Sequence, residues 1–500
     1  MDNKSRIKLF TIIMVSVCLL LGAAIRMSFW EDETYTATQS QKPFSDLVQS
    51  MQFDVHPVLP IIVTSIWGSI FGYNEIGLRS LSILLSAANL LLTFFLAKDL
   101  FDQSTALTAT ILLAFSPLFI LFGYQARYYS IAMLFTLGLV IFLRFYLKTQ
   151  RPIYLIFYTV TGGLLTLISY SAFSVIIAAN LWWVIDWLRR KPGKPTTLLY
   201  WIIAQVGILL FYLPSISHVD SLIERYYGIP ELGNWITEIL KRALYLAFTY
   251  AVGQTTSPLN PIAWIGSALV AFLVIYAIIK RRDQTSLWFV VVFLGVIVGA
   301  NLGISFMSGW LSQIWQNLPH WSFYALPFWA ILLAAGVSKL RMKSSAIVIA
   351  VLLLVYGTGI LNLYSGKQFL QPIYATPWKE IFKNISENSS ASMALVCSGS
   401  DVSCKYYANR FGFSEDLYPE GKNIPVDQID QVWWIQIYMG QERTGSGNEE
   451  DALDRLESVY SVHDTFPYSR QDESLRWLKK TFLGQEDYEF RVVVYRFSNP

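Results

Sequence analysis

Charge is scarce in this chain. Of its 500 residues only 15% are Asp, Glu, Lys or Arg while 54% are hydrophobic, and the mean hydropathy is +0.42. That balance excludes an ordinary soluble protein and marks an integral membrane protein. A formal net charge of +3, with no basic run interleaved with aromatics, excludes a nucleic-acid partner. The polar tail carries no phosphate-cradling glycine loop, no zinc-ligand spacing and no serine-nucleophile elbow. Its default role is therefore that of an accessory domain for recognition or stability. The three cysteines say little: Cys18 reads as a small buried residue of the first apolar run, and pairing of Cys397 with Cys404 stays open because it needs an oxidising compartment. Asn384-Ile385-Ser386 and Asn388-Ser389-Ser390 match glycan acceptor triplets, a pattern short enough to arise by chance.

What is abundant is apolar sequence and large aromatics. The 17 Trp and 28 Tyr suit interfacial belts. Runs near the roughly 20 residues that cross a bilayer fall at 9–25, 80–97, 106–122, 128–147, 153–170, 171–188, 198–215, 261–279, 286–305, 321–337 and 345–364, giving about eleven crossings. The first resembles a signal peptide in its flanks, but its place at the head of a polytopic chain, with Asp32 just beyond, favours a retained anchor.

Lys and Arg concentrate on the cytoplasmic side of short loops. The clusters Lys4/Arg6/Lys8, Lys148/Arg151, Arg189/Arg190/Lys191/Lys194, Lys280/Arg281/Arg282 and Lys339/Arg341/Lys343 are therefore placed inside. It follows that Tyr124-Gln125-Ala126-Arg127-Tyr128-Tyr129 faces outward with Asp32. An even number of crossings between those two loops leaves 58–71, short and broken by Pro60 and Gly68, as an interfacial or re-entrant piece of a first external loop over 28–79. The expected architecture is a transmembrane domain over 1–365 and an extracytoplasmic α/β domain over 366–500 in the plasma membrane, with a cytoplasmic N-terminus. Within that tail, helical patterns at 378–387, 449–459 and 473–482 alternate with strand-like runs at 393–397, 431–437 and 490–497.

Trp30-Glu31-Asp32-Glu33-Thr34-Tyr35 reads as a short outward loop, followed by Phe53-Asp54-Val55-His56-Pro57. A carboxylate where the chain leaves hydrocarbon is costly to keep charged and marks a proton-accepting site or a paired group. The plainer reading is a solvated loop.

The order Asp32-Glu33, then Asp54-Val55-His56-Pro57-Val58-Leu59, then Phe71-Gly72-Tyr73-Asn74-Glu75 with Leu78-Arg79, then Ala126-Arg127-Tyr128-Tyr129-Ser130 resembles the membrane glycosyltransferases of the GT-C fold. The branch is that of protein O-mannosyltransferases and the lipid A aminoarabinose transferase. The likeness is good over about residues 25–150 and architectural in the tail. It implies inverting transfer of a sugar from a polyprenyl-phosphate donor to a lipid, glycan or protein acceptor on the outer face.

An acceptor hydroxyl is a poor nucleophile at neutral pH, so a carboxylate must take its proton. The resemblance assigns that task to Asp32, with Glu33 orienting acceptor or sugar. Negative charge growing on the leaving lipid phosphate calls for cations or hydrogen-bond donors. Arg79 and Arg127 are candidates, with Tyr128 beside them; the plainer reading is arginines that snorkel to headgroups. Asp54 and His56 are candidates for phosphate or sugar, His56 equally for an interfacial structural role. Arg225, in Glu224-Arg225-Tyr226-Tyr227, is a candidate for the carrier's head group, as is the stretch with Lys241 and Arg242. Relatives carry Arg-Tyr before the helix with a Leu-Pro pair, whereas Pro319-His320-Trp321-Ser322-Phe323-Tyr324-Ala325-Leu326-Pro327 places His320 there.

Metal-dependent relatives hold a divalent ion with paired acids in the second outward loop. Here Gln125-Ala126-Arg127 stands in that place, which favours an enzyme without metal or other cofactor; Asp54 and Glu31 leave only a sparse oxygen-ligand set. Two other classes remain: a carrier or flippase for lipid-linked sugars, which broken helices and repeats would support, and a scaffold presenting the tail domain.

Overall fold

A computed structural model of the chain describes residues 2–51, 57–189, 195–213, 235–306, 315–390, 392–398, 402–418, 424–425, 428–439, 442–443, 447–468, 477, 481 and 490–498. The chain divides into two compact units. One comprises 1–23, 39–253 and 261–360; the other comprises 24–38, 254–260 and 361–500.

The first unit is helical. Seven helices among the described residues are long and apolar enough to cross a membrane, including α1 (Asn3–Arg26), α5 (Glu75–Leu100), Tyr129–Thr149 and Pro261–Arg281. Gln103–Ala114 and Pro117–Gly123 form an eighth candidate bent by 63°. The break is local chemistry: Ser116-Pro117 cannot continue the preceding ladder, and the proline opens the second helix at a position that tolerates it. Of the eleven expected crossings, the other three coincide with the shorter apolar helices Pro152–Thr166, Thr196–Tyr212 and Phe323–Val337. Cys18 is exposed, not buried as expected.

The stretch over 28–79, expected as one long loop carrying an interfacial or re-entrant helix at 58–71, is mostly helical among the described residues. It contains α2 (Glu31–Ser40), α3 (Phe44–Met51) and α4 (Val58–Phe71) before α5 begins. The acids expected in a loop occupy the first turn of α2, where the positive end of the helix dipole favours them. Asn74 caps α5, its side-chain oxygen accepting from the Gly77 amide at 2.9 Å. Trp67 of α4 donates to the Gly77 carbonyl and to Ser80.

The second unit carries a five-stranded sheet in the order β1-β2-β5-β4, with β3 pairing β2. The strands are β1 (Met393–Cys397), β2 (Gln431–Met439), β3 (Glu442–Arg443), β4 (Ser461–Tyr468) and β5 (Phe490–Ser498). β1 and β2 run parallel while the other pairings are antiparallel. The core packs Val396, Val432, Trp434, Leu453, Leu456 and Phe497 together. Helices Trp378–Asn388 and Gly447–Val459 match their sequence patterns; the pattern at 473–482 lies largely outside the described residues. Cys397 and Cys404 are joined in a disulfide.

Candidate functional site

In the first unit the candidate residues gather around the turn after the bent helix pair. The Gly123 carbonyl accepts from Ser86 at 2.8 Å and from Ser130 at 3.2 Å, and Asn89 donates to the Ser130 carbonyl at 2.9 Å. These bonds pin both ends of the 123–130 turn to one face of α5. Inside it, the Arg127 amide donates to the Gln125 carbonyl at 2.7 Å.

The turn's cation is largely removed from solvent, with Arg127 8% exposed and Arg79, one turn into α5, 0% exposed. The Arg79 guanidinium lies over the Tyr124 ring at 4.9 Å and that of Arg127 over Tyr128 at 5.8 Å, geometries in which the ring face attracts the cation. His320 joins the same cluster, its ring 5.3 Å from Tyr129 and 5.8 Å from Phe122. Phe323 closes the group against Phe119 and Phe122. The segment bearing His320 is held by Tyr250, which donates to the Ser322 carbonyl at 2.6 Å. Arg127, Tyr128 and His320 are thus borne on one aromatic cluster, while Arg79 rests on Tyr124 of the same turn. Of these rings, Tyr124 and Tyr129 stood in the outward loop read from sequence, while Phe122 and Phe323 carried no signal beyond apolarity.

A second basic group lies on the helix Trp235–Val252. Arg242, 1% exposed, donates to the Ser305 backbone carbonyl and, at 3.1 Å, to the Ser305 hydroxyl. Its guanidinium lies 4.0 Å over Phe306 and 3.6 Å from Glu238. Burial pulls it below the ordinary arginine range, opposed by the Glu238 carboxylate, yet so strong a base stays charged.

The acids belong to the second unit. Glu31 is exposed, Asp32 partly buried and Glu33 fully buried. Thr34 donates to the Glu31 carbonyl at 2.6 Å and Thr36 to the Asp32 carbonyl at 2.9 Å, tightening the turn that presents them. Asp54, His56 and Arg225 lie outside the described residues. No group of three or more His, Cys, Asp or Glu is placed to hold a metal ion among the described residues.

With that geometry in place, comparison with known proteins narrows the fold. Residues 55–218 match the family described as dolichyl-phosphate-mannose-protein mannosyltransferase. The matched stretch includes Arg79, Arg127 and Tyr128; Asp32 and Glu33 precede it and His320 follows it. The crystal structure of ArnT from Cupriavidus metallidurans bound to undecaprenyl phosphate is similar at a TM-score of 0.56 and 11% identity, over 99% of this chain and 98% of that one. The apo form of the same protein gives 0.55 and 12%, over 97% of each chain. An apo oligosaccharyltransferase from Archaeoglobus fulgidus gives 0.44 and 12%, over 85% of this chain and 69% of that one. No curated protein matches the chain. The fold is thus similar to that of GT-C membrane proteins, a multi-pass helical bundle with a C-terminal sheet domain.

Proposed function

We propose that this protein is a membrane glycosyltransferase that moves a sugar from a polyprenyl-phosphate-linked donor to an acceptor on the extracytoplasmic face. The observation that carries the reading is the pair of buried guanidiniums, Arg79 and Arg127, set against the rings of Tyr124 and Tyr128. A planar, permanently charged fork backed by an aromatic face is suited to a phosphate. Burial strengthens its field on any anion that reaches it. The mannosyltransferase match across both arginines and the ArnT-like fold, seen there with undecaprenyl phosphate bound, support the same donor class.

In this reading the Asp32 carboxylate takes the proton of the acceptor hydroxyl as its oxygen attacks the anomeric carbon from the face opposite the phosphate. The carbon–oxygen bond to the phosphate breaks, its electron pair leaving with the lipid phosphate and the anomeric configuration inverting. Arg79, Arg127 and His320 meet the charge that grows there. Glu33 orients the acceptor or sugar, Tyr128 lines the donor side, and Asp54, His56 and Arg225 complete the contacts to sugar and head group. Arg127 supplies the electrostatic work for which metal-dependent relatives use an ion. The N-terminus is cytoplasmic and the domain over 366–500 extracytoplasmic.

Replacing Asp32 by Asn in the purified protein, reconstituted with polyprenyl-phosphate sugars, tests the assignment. Turnover should fall at least about 100-fold with polyprenyl-phosphate binding retained; wild-type turnover would remove Asp32 from the mechanism. Mass spectrometry of envelope lipids and glycans from cells with and without the protein identifies sugar and acceptor together.

A further inference from the structure

The tail domain has so far only a default role in acceptor recognition or stability, but within the second unit it grips the acid segment directly. The Tyr407 hydroxyl accepts a hydrogen bond from the Phe29 amide at 2.7 Å, and Ser403 Oγ lies 3.0 Å from Thr34 Oγ1. Both come from the helix Val402–Arg410, and their partners Phe29 and Thr34 bracket Glu31, Asp32 and Glu33 in sequence. On the approach to these acids, the Lys379 ammonium donates to the Ile25 and Met27 carbonyls at 3.2 and 3.3 Å, and its amide donates to Ser28 Oγ at 3.0 Å. Trp30 meets Tyr374 edge-on at 4.8 Å, and Phe29 meets Tyr406 at 5.7 Å.

The gripping helix is itself anchored. Its Cys404 is disulfide-bonded to Cys397, the last residue of β1. The Tyr407 ring stacks with Trp378 and Phe382, which fixes where its hydroxyl points. Ser403 and Tyr407 lie four residues apart, on one face of the helix.

We infer that Tyr407 and Ser403 are positioning residues for the carboxylates of the Asp32 segment, and that the Cys397–Cys404 disulfide locks their helix to the sheet. The inference rests on the glycosyltransferase reading for its consequence in catalysis, though the contacts themselves do not. A carboxylate that must meet a hydroxyl within hydrogen-bond reach is sensitive to displacements of about 1 Å. Two hydrogen bonds, one on each side of the acids, remove that freedom without touching substrate.

The test compares Tyr407→Phe, Ser403→Ala and Ser403→Thr in the full-length protein. Phe keeps the ring packing and removes the hydroxyl that accepts from the Phe29 amide. Tyr407→Phe and Ser403→Ala should each lower kcat by roughly 10- to 100-fold with donor KM changed less than about twofold and the unfolding temperature held. Ser403→Thr, which keeps the hydroxyl, should restore kcat. Hydrogen exchange of the amides over 29–36 should quicken in Tyr407→Phe and in Cys397→Ser/Cys404→Ser. Unchanged exchange in these variants overturns the inference even if Asp32→Asn is inactive. Quickened exchange with wild-type kcat overturns the positioning role as well. An active Asp32→Asn protein beside quickened exchange instead defeats the assignment of the base and leaves the grip standing.

Discussion

The ring of His320 lies 5.3 Å from that of Tyr129 and so joins two segments far apart in the chain at the residue two positions beyond Arg127. Packing and chemistry at this contact separate by substitution. His320→Phe keeps a ring against Tyr129 and Phe122 but removes both nitrogens. It should leave the unfolding temperature close to wild type while transfer falls by about 10- to 100-fold. His320→Ala vacates the ring's volume and should in addition cost about 2–4 kcal/mol of stability, read by thermal unfolding in detergent. Full transfer by His320→Phe would leave His320 as packing alone.

Arg127 and Arg79 are expected to resist conservative exchange. Lysine keeps the charge but loses the planar fork and its stacking on Tyr128 or Tyr124. Arg127→Lys should therefore reduce transfer by about 10²–10³-fold, little better than Arg127→Ala. If lysine restored most of the activity, charge alone would be the requirement and the fork geometry irrelevant.

Much of the architecture was legible because hydrophobic length and period survive folding. The run at 80–97 lies inside α5, and the pattern at 393–397 became β1 with the same bounds. The bend at Pro117 hid inside the run 106–122, where apolarity continues across the break. Three acids in succession read as a loop because of their polarity, yet an acidic first turn is also a helix-start signal, and α2 begins there. Of the candidate site, the sequence offered Arg79, Arg127 and His320, which the structure sets against aromatic rings, but not the residues that support them. Nothing local links Phe29 to Tyr407, 378 residues away, or His320 to Tyr129. Those pairings are set by tertiary packing, for which no short-range pattern exists. The disulfide stood open in the sequence because compartment, not spacing, decides it.

Gly77 sits where only hydrogen fits. A β-carbon there would lie 2.1 Å from the Gly72 carbonyl oxygen and 2.5 Å from that of Phe71, and backbone cannot step aside as a side chain can. Gly77→Ala should therefore unwind the start of α5, displace Arg79 two residues on, and depress both folded yield and transfer. Loss of transfer with normal yield and unfolding temperature would show that the turn adapts and only Arg79 has moved. Normal values of all three would mean the turn tolerates the added carbon.

Tyr468, at the end of β4, gives the second unit a dependence on alkaline pH. Burial raises its hydroxyl above the ordinary tyrosine value of 10.0, the bond from Asn384 at 3.0 Å opposes that shift, and Glu380 adds to it. Because the folded pKa is the higher, the unfolded chain loses this proton first as pH rises. The stability contributed by the neutral phenol is complete below the unfolded pKa of about 10 and is lost progressively up to the folded value. The group is partly exposed, so the effect should be modest. Tyr468→Phe lacks the titrating proton and should flatten this part of the pH dependence, while losing the Asn384 hydrogen bond at a cost of about 1 kcal/mol at neutral pH. Thermal unfolding of both proteins from pH 8 to pH 11 measures the difference. Parallel curves for variant and wild type across that range would show that Tyr468 titrates alike in the folded and unfolded chains.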